Sequence, residues 1–163
     1  MNQLWAPWRL AYISTNKPEV GSGCFICMGL ESAQNKDHLI VERASASVVM
    51  LNKFPYNNGH LLIAPKRHVG DLNQLTSGET LEVQQLIGRY VDKITILMSP
   101  HGFNVGINLG AAAGAGVPGH LHWHVVPRWN GDTNFMPVLT DTKVIVQSLD
   151  TLYDLLTNQT GAR

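Results

Sequence analysis

Charge is scarce in this 163-residue chain: Asp, Glu, Lys and Arg make up 15% of it, and the 12 acids balance the 12 bases. A balanced surface offers no field for a duplex nucleic acid or an anionic membrane, so neither is expected as a partner. Any anionic ligand must be held by local chemistry. Long hydrophobic runs are also missing, and no stretch approaches the length of a membrane span. The start, MNQLWAPWRLAYIS, lacks the positive start and continuous apolar run of a secretory signal. A cytoplasmic location is the resulting expectation. Cysteine is limited to Cys24 and Cys27, too few and too closely spaced for a disulfide framework. Internal repeats and low-complexity linkers are absent. What remains is 44% hydrophobic residues, enough at this length to bury the core of one domain.

Residues 1–23 read as an irregular arm, broken by Pro7, Pro18, Gly21 and Gly23 but carrying Trp5, Trp8 and Tyr12. Those aromatics need a surface, so the arm is expected to lie on the body or on a partner subunit. Residues 24–163 form the domain. HLIVE, SVVML and HLLIAP read as three strands, the last after an Asn57-Asn58-Gly59 turn. From Thr76 to Met98 the apolar residues Leu81, Leu86, Ile87, Val91, Ile94 and Leu97 follow a helical spacing, with Thr76 or Ser77 as cap and Glu79 in the first turn. GFNVGINLG is a fourth strand, GAAAGAGVPG a glycine-rich loop, and HLHWHVVP a fifth strand ending at Pro127. A C-terminal helix is predicted over 141–158, with Val144, Leu149, Leu152, Leu155 and Leu156 on its apolar side. Strands in consecutive runs around one long helix predict an α+β domain on an antiparallel sheet.

His120, His122 and His124 alternate with Leu121, Trp123 and Val125. On a strand, every second side chain shares a face, so the imidazoles line one side and the apolar residues the core. Three readings compete: packed core histidines, a three-histidine metal cage, and a nucleophile with its helpers. The glycine loop before the row lets backbone N–H groups approach a phosphate, although it is no Walker-type loop. A neutral imidazole is available near pH 7, and His122 alone has a histidine on each side.

HLHWHVV resembles the His-x-His-x-His-x-x motif of the histidine triad (HIT) superfamily of nucleotidyl hydrolases and transferases. The resemblance covers roughly residues 24–138. LWAPWRLAYI, CFIC, GAGVPGHLHWHVVPRWNGDTNFMPV and VIVQSL are similar to a bacterial branch related to diadenosine tetraphosphate phosphorylases. It implies a five-stranded antiparallel sheet with two main helices, usually paired as a homodimer. It also implies that His122 attacks the α-phosphorus to form a nucleotidyl-histidine, with His124 and His120 orienting nucleophile and phosphate. Asn52 falls at the ribose-binding position; Asn108 and the loop Gly114, Ala115, Gly116 fall around the α-phosphate. Many members carry glutamine or serine in that loop, so here phosphate contacts are expected to use backbone N–H groups.

The Cys24–Cys27 spacing suits one zinc or a redox pair. Relatives complete a zinc site with a histidine after a Pro-Lys segment and with the first triad histidine, which implies Cys24, Cys27, His68 and His120 here. Structural zinc and no organic cofactor are expected. His38 and His101 read as surface or strand-end residues and His60 as a packed strand residue, none with a role. The resemblance implies phosphorolysis of a dinucleoside polyphosphate, with a nucleotidyl hydrolase or phosphoramidase as alternative. A nucleotide-binding protein with a vestigial triad and a zinc hydrolase using all three histidines are the readings from other classes.

Overall fold

The computed structural model describes residues 23–132 and 145–158. Residues 1–22 of the aromatic arm, residues 133–144 (with Val144) and the last five residues lie outside them. The described chain runs α1 (Phe25–Glu31), β1 (Ile40–Arg43), β2 (Ser47–Leu51), β3 (Leu61–Pro65), α2 (Ser77–Met98), β4 (Gly102–Ile107), β5 (Trp123–Arg128) and α3 (Leu149–Thr157). The five strands form one antiparallel sheet in the order β1-β2-β3-β5-β4.

β2 and β3 are buried on both faces. One face packs on α2, where Val83, Leu86, Ile87, Tyr90 and Ile94 supply the i, i+3, i+4, i+7 stripe that meets Val49, Leu51, Leu61 and Ile63. Leu81, expected on that stripe, is instead 59% exposed, and Val83 and Tyr90 take its place. α2 begins at a capping box: Thr76 Oγ1 accepts from the Glu79 N–H, and Glu79 accepts from the Thr76 N–H. Arg67 donates to both Glu79 oxygens at 3.0 and 2.8 Å, and that guanidinium, with the Thr76 amide, holds the carboxyl at about 2. The Pro-Lys-Arg-His turn is thereby tied to the start of the long helix.

The opposite face carries a smaller core of Ile26, Ile40, Val48, Met50 and Ala64 under α1. α1 is absent from the sequence expectations because seven residues are too few for a helical pattern to register. β1 starts at Ile40, two residues later than expected, because Leu39 sits in the left-handed region at φ 55°. β4 stops at Ile107, before the predicted Asn108–Gly110 end. α3 begins at Leu149, capped by Ser148, rather than at residue 141.

The fifth strand departs most from expectation. Its ladder begins at Trp123, so His120 and His122 lie just before it, and Pro127 falls inside it rather than at its end. A proline is tolerated in this interior strand because β3 pairs only with Trp123, His124 and Val125. Opposite Pro127 stands the Asn57–Gly59 turn, where Asn57 Nδ2 donates to the Pro127 carbonyl at 3.1 Å. Gly59 has φ +79°, and a Cβ there would lie 2.9 Å from the Pro127 ring, so the turn requires glycine.

Candidate functional site

The alternation of residues 120–125 is as the strand rule demands. Leu121, Trp123 and Val125 join the core beneath α2, while His120, His122 and His124 share the other side, all buried. Their hydrogen bonds assign each ring its tautomer, with the proton on Nδ1 in His122 and on Nε2 in His120 and His124. A carbonyl only accepts, so the 2.8 Å contact from His122 Nδ1 to the His120 carbonyl places a proton on Nδ1 and leaves the Nε2 lone pair exposed to attack chemistry. His120 Nε2 likewise donates to the Pro65 carbonyl at 2.8 Å, which turns its Nδ1 lone pair towards Cys24 Sγ at 3.2 Å and Cys27 Sγ at 3.5 Å.

His124 is fixed by a residue the sequence left without a role. The Tyr56 N–H donates to His60 Nδ1 at 2.9 Å, and the Asn52 amide nitrogen lies 3.2 Å from the same atom. With Nδ1 an acceptor, His60 carries its proton on Nε2 and donates it to His124 Nδ1 at 2.9 Å. His124 therefore presents Nε2–H outward, with the side-chain amide of Asn108 3.4 Å away. The Tyr56 ring stacks on His124 at 5.5 Å and 15°. Only register reveals the pairing: Leu62 lies opposite His124, so His60, two residues before it, falls on the histidine face.

Burial, then the neighbouring His122, lowers the His124 pKa from 6.5 to about 4, so the ring is neutral near pH 7. Below pH 6.5 the unfolded imidazole takes up a proton that the folded one refuses. The contribution to stability is complete above 6.5 and is lost as pH falls towards about 4, on the order of 3 kcal/mol. Urea unfolding between pH 7 and pH 4.5 checks this. His124→Gln is expected to flatten the decline, with a remainder from His120, whose pKa burial also lowers. An equal decline in the variant would refute the assignment.

Asn52 lines a cleft of about 470 Å³ with Phe25, Asp37, His38, Leu39, Met50, Leu51, Lys53, Phe54, Gly116 and Val117. Asn52 Oδ1 also accepts from the Phe54 N–H at 2.9 Å, the turn contact its sequence position allows. The glycine loop is more closed than expected. The Gly114 and Ala115 amides donate to the carbonyls of Ala111 and Gly110, and Ala115 is buried. Both are therefore used within the loop, and Gly116 is the member of the three that faces the cleft. Asn108 reaches the Gly114 carbonyl at 3.4 Å, which joins the loop to the His124 side. His101 is exposed and accepts from the Asn130 N–H, away from these groups.

The ligand atoms of Cys24, Cys27, His68 and His120 all lie within 4.8 Å of one another. Cys27 Sγ is 3.2 Å from His68 Nδ1, and the His68 and His120 rings meet edge-on at 4.9 Å. Donors held at bond lengths of about 2.1–2.3 Å around a tetrahedral ion would stand roughly 3.4–3.8 Å apart, so a metal is admitted once the shortest contacts open slightly and the widest close by up to about 1 Å. Burial and the adjoining Cys24 push the Cys27 thiol up to about 11, a state that a divalent cation would reverse. Gly119 permits the close approach, since a Cβ there would lie 3.3 Å from His68 Nε2. Among the described residues these four form the metal-capable group; the histidine row does not, because its lone pairs diverge.

A five-stranded antiparallel sheet with a buried histidine row beside a Cys₂His₂ tetrad defines the class of the molecule: a histidine triad protein. Residues 32–131 match the HIT domain, and the chain belongs to that family. It is 37% identical over 154 residues, 91% of this chain and 79% of the relative, to a protein of Mycobacterium tuberculosis named AP-4-A phosphorylase. Over 90 residues, 55% of this chain and 49% of the relative, it is 33% identical to the asymmetrical bis(5'-nucleosyl)-tetraphosphatase of Schizosaccharomyces pombe. A Zn-bound histidine triad family protein from Mycobacterium smegmatis shares the fold at TM-score 0.65 and 24% identity, covering 83% of this chain and 91% of that one. The chain is a HIT-family enzyme, and no helix among its described residues is long and apolar enough to cross a membrane.

Proposed function

We propose that this enzyme cleaves dinucleoside polyphosphates by phosphorolysis, converting diadenosine tetraphosphate and phosphate to ATP and ADP. The observation that carries the reading is the His122 Nδ1–H bond to the His120 carbonyl, which leaves Nε2 as a nucleophile. Nε2 attacks the α-phosphorus, the N–P bond forms, and the P–O bond to the departing ATP breaks. The charge that develops on the imidazole is met by the same carbonyl. His124 Nε2–H donates a hydrogen bond to the phosphate oxygens; a ring with pKa about 4 is neutral, and a polyphosphate leaving group does not need its proton. Phosphate then attacks the nucleotidyl-histidine and releases ADP. Asn52 holds the ribose, and Asn108 with the Gly116 amide borders the α-phosphate. Zinc on Cys24, Cys27, His68 and His120 serves as a structural metal; bound there, it would tie the segment before β1 to the residues before β5. The domain pairs as a homodimer, and the apolar Val105 and Leu109, each about half exposed on and beside the edge strand β4, support an association surface.

The relative named AP-4-A phosphorylase favours phosphorolysis, and the one named tetraphosphatase favours hydrolysis as the second reading. Incubation with diadenosine tetraphosphate, with and without phosphate, decides. ATP plus ADP formed only with phosphate supports phosphorolysis; AMP with ATP, or two ADP, transfers the chain to the hydrolases.

Asn52→Ala is expected to raise KM for a ribose-containing substrate about tenfold, the order of one lost hydrogen bond to a charged or well-placed partner. Unchanged kinetics would remove Asn52 from the ribose site. His60→Phe keeps an aromatic ring but removes the donor to His124 and is expected to lower kcat about 10²-fold. Steady-state rates check this, and a kcat within threefold of wild type would refute the His60 link.

A further inference from the structure

The metal-capable tetrad and the substrate cleft are joined by one small helix. α1 has no side-chain cap and no acid in its first turn. At seven residues it is too short to hold itself in water, so its position depends on its anchors. Arg43 clamps the C-terminal end, donating to the carbonyls of Gly29, Leu30 and Ser32 at 2.8, 2.9 and 2.7 Å. Ile26, fully buried, seats the middle in the smaller core. The N-terminal end is held differently: Cys24 and Cys27 meet His120 and His68. Between the two cysteines stands Phe25, 39% exposed, edge-on to the His122 ring at 6.5 Å and 75°, and forming part of the cleft wall with Met50 and Asn52.

We infer that metal binding at the tetrad and nucleotide binding in the cleft are coupled through Phe25. A cation that gathers the two sulfurs fixes the first turn of α1, and that turn sets the Phe25 ring against the nucleoside and against the nucleophile. Without it, the helix stays clamped by Arg43 while its first turn loses its hold, and the wall of the cleft loosens. Phe25 is thus a positioning residue, and linkage makes the effect mutual: nucleotide tightens metal by the factor by which metal tightens nucleotide. The inference rests on reading the cleft as the nucleoside site.

Two measurements on the full chain test it. Zinc affinity is read by competition with a chromophoric chelator, with and without AMP, and AMP affinity by calorimetry on zinc-loaded and stripped protein. AMP is expected to tighten zinc about tenfold, and Phe25→Ala to bring that factor close to one with its AMP-free zinc affinity unchanged. Phe25→Leu should recover part of the coupling. Cobalt(II) in place of zinc gives a second readout that never requires the stripped state. AMP is expected to shift the ligand-field bands of the saturated wild type and to leave those of Phe25→Ala in place. Bands unmoved by AMP in the wild type, or a coupling that survives intact in Phe25→Ala, would overturn the inference. A loaded chain that binds no AMP would overturn the nucleotide reading itself; equal AMP affinity with and without metal in the folded chain would overturn the coupling alone.

Discussion

His122→Ala is expected to lower the turnover of diadenosine tetraphosphate by on the order of 10⁴-fold or more, while AMP still binds within a fewfold of the wild-type affinity. The asymmetry follows from where the residue stands. His122 offers one nitrogen to the His120 carbonyl and the other to the reacting phosphorus, while the cleft is walled by Asn52, Met50, Leu51 and Phe25. Removing the ring therefore deletes the covalent route and spares most of the binding surface. Rapid quenching in the absence of phosphate gives the sharper measurement. Wild type should carry an acid-labile nucleotidyl group after mixing with substrate, and the variant none. A variant that turns over at the wild-type rate would end the covalent mechanism.

Cys27→Ala, or chelation of the wild type, is expected to cost about 4 kcal/mol of stability where free zinc stands a thousandfold above its Kd. The melting temperature of the wild type should climb with zinc concentration and that of Cys27→Ala should not. The physical reason is the span of the tetrad: Cys24 and Cys27 lie in and beside α1, His68 after β3, and His120 before β5, so one ion would close loops of about 40 and 50 residues. Melts that do not depend on zinc would remove the metal from the account. A rate that vanishes with zinc while the folded fraction stays constant would instead revive the metal-hydrolase reading.

Much of this was legible in the residues. Binary alternation in HLHWHVV is enough to put three imidazoles on one face, and Thr76-x-x-Glu79 is enough to start the long helix, because both depend on neighbours in sequence. The Cys₂His₂ group came from resemblance, and the fold brings its four members together. Three things escaped. His60 looked like a packed strand residue because its partner is 64 positions away and only the β3–β5 register joins them. Phe25 drew no reading of its own, since nothing local says that a helix begins there. The amides of Gly114 and Ala115, expected to serve phosphate, are taken by their own loop, a matter of turn geometry that composition does not carry.

Pro127 has a consequence for errors in folding. Sliding β5 by one residue against β3 would send the imidazoles beneath α2 and bring Trp123 into the cleft. Sliding it by two would restore the facing, and with it a plausible but misaligned triad; in one of the two directions that slip sets the ring nitrogen of Pro127 opposite Leu61, where a strand asks for a hydrogen it does not have. Neither wrong alignment is cheap. A residue with no part in the chemistry thus disfavours one of the slips that would part His60 from His124.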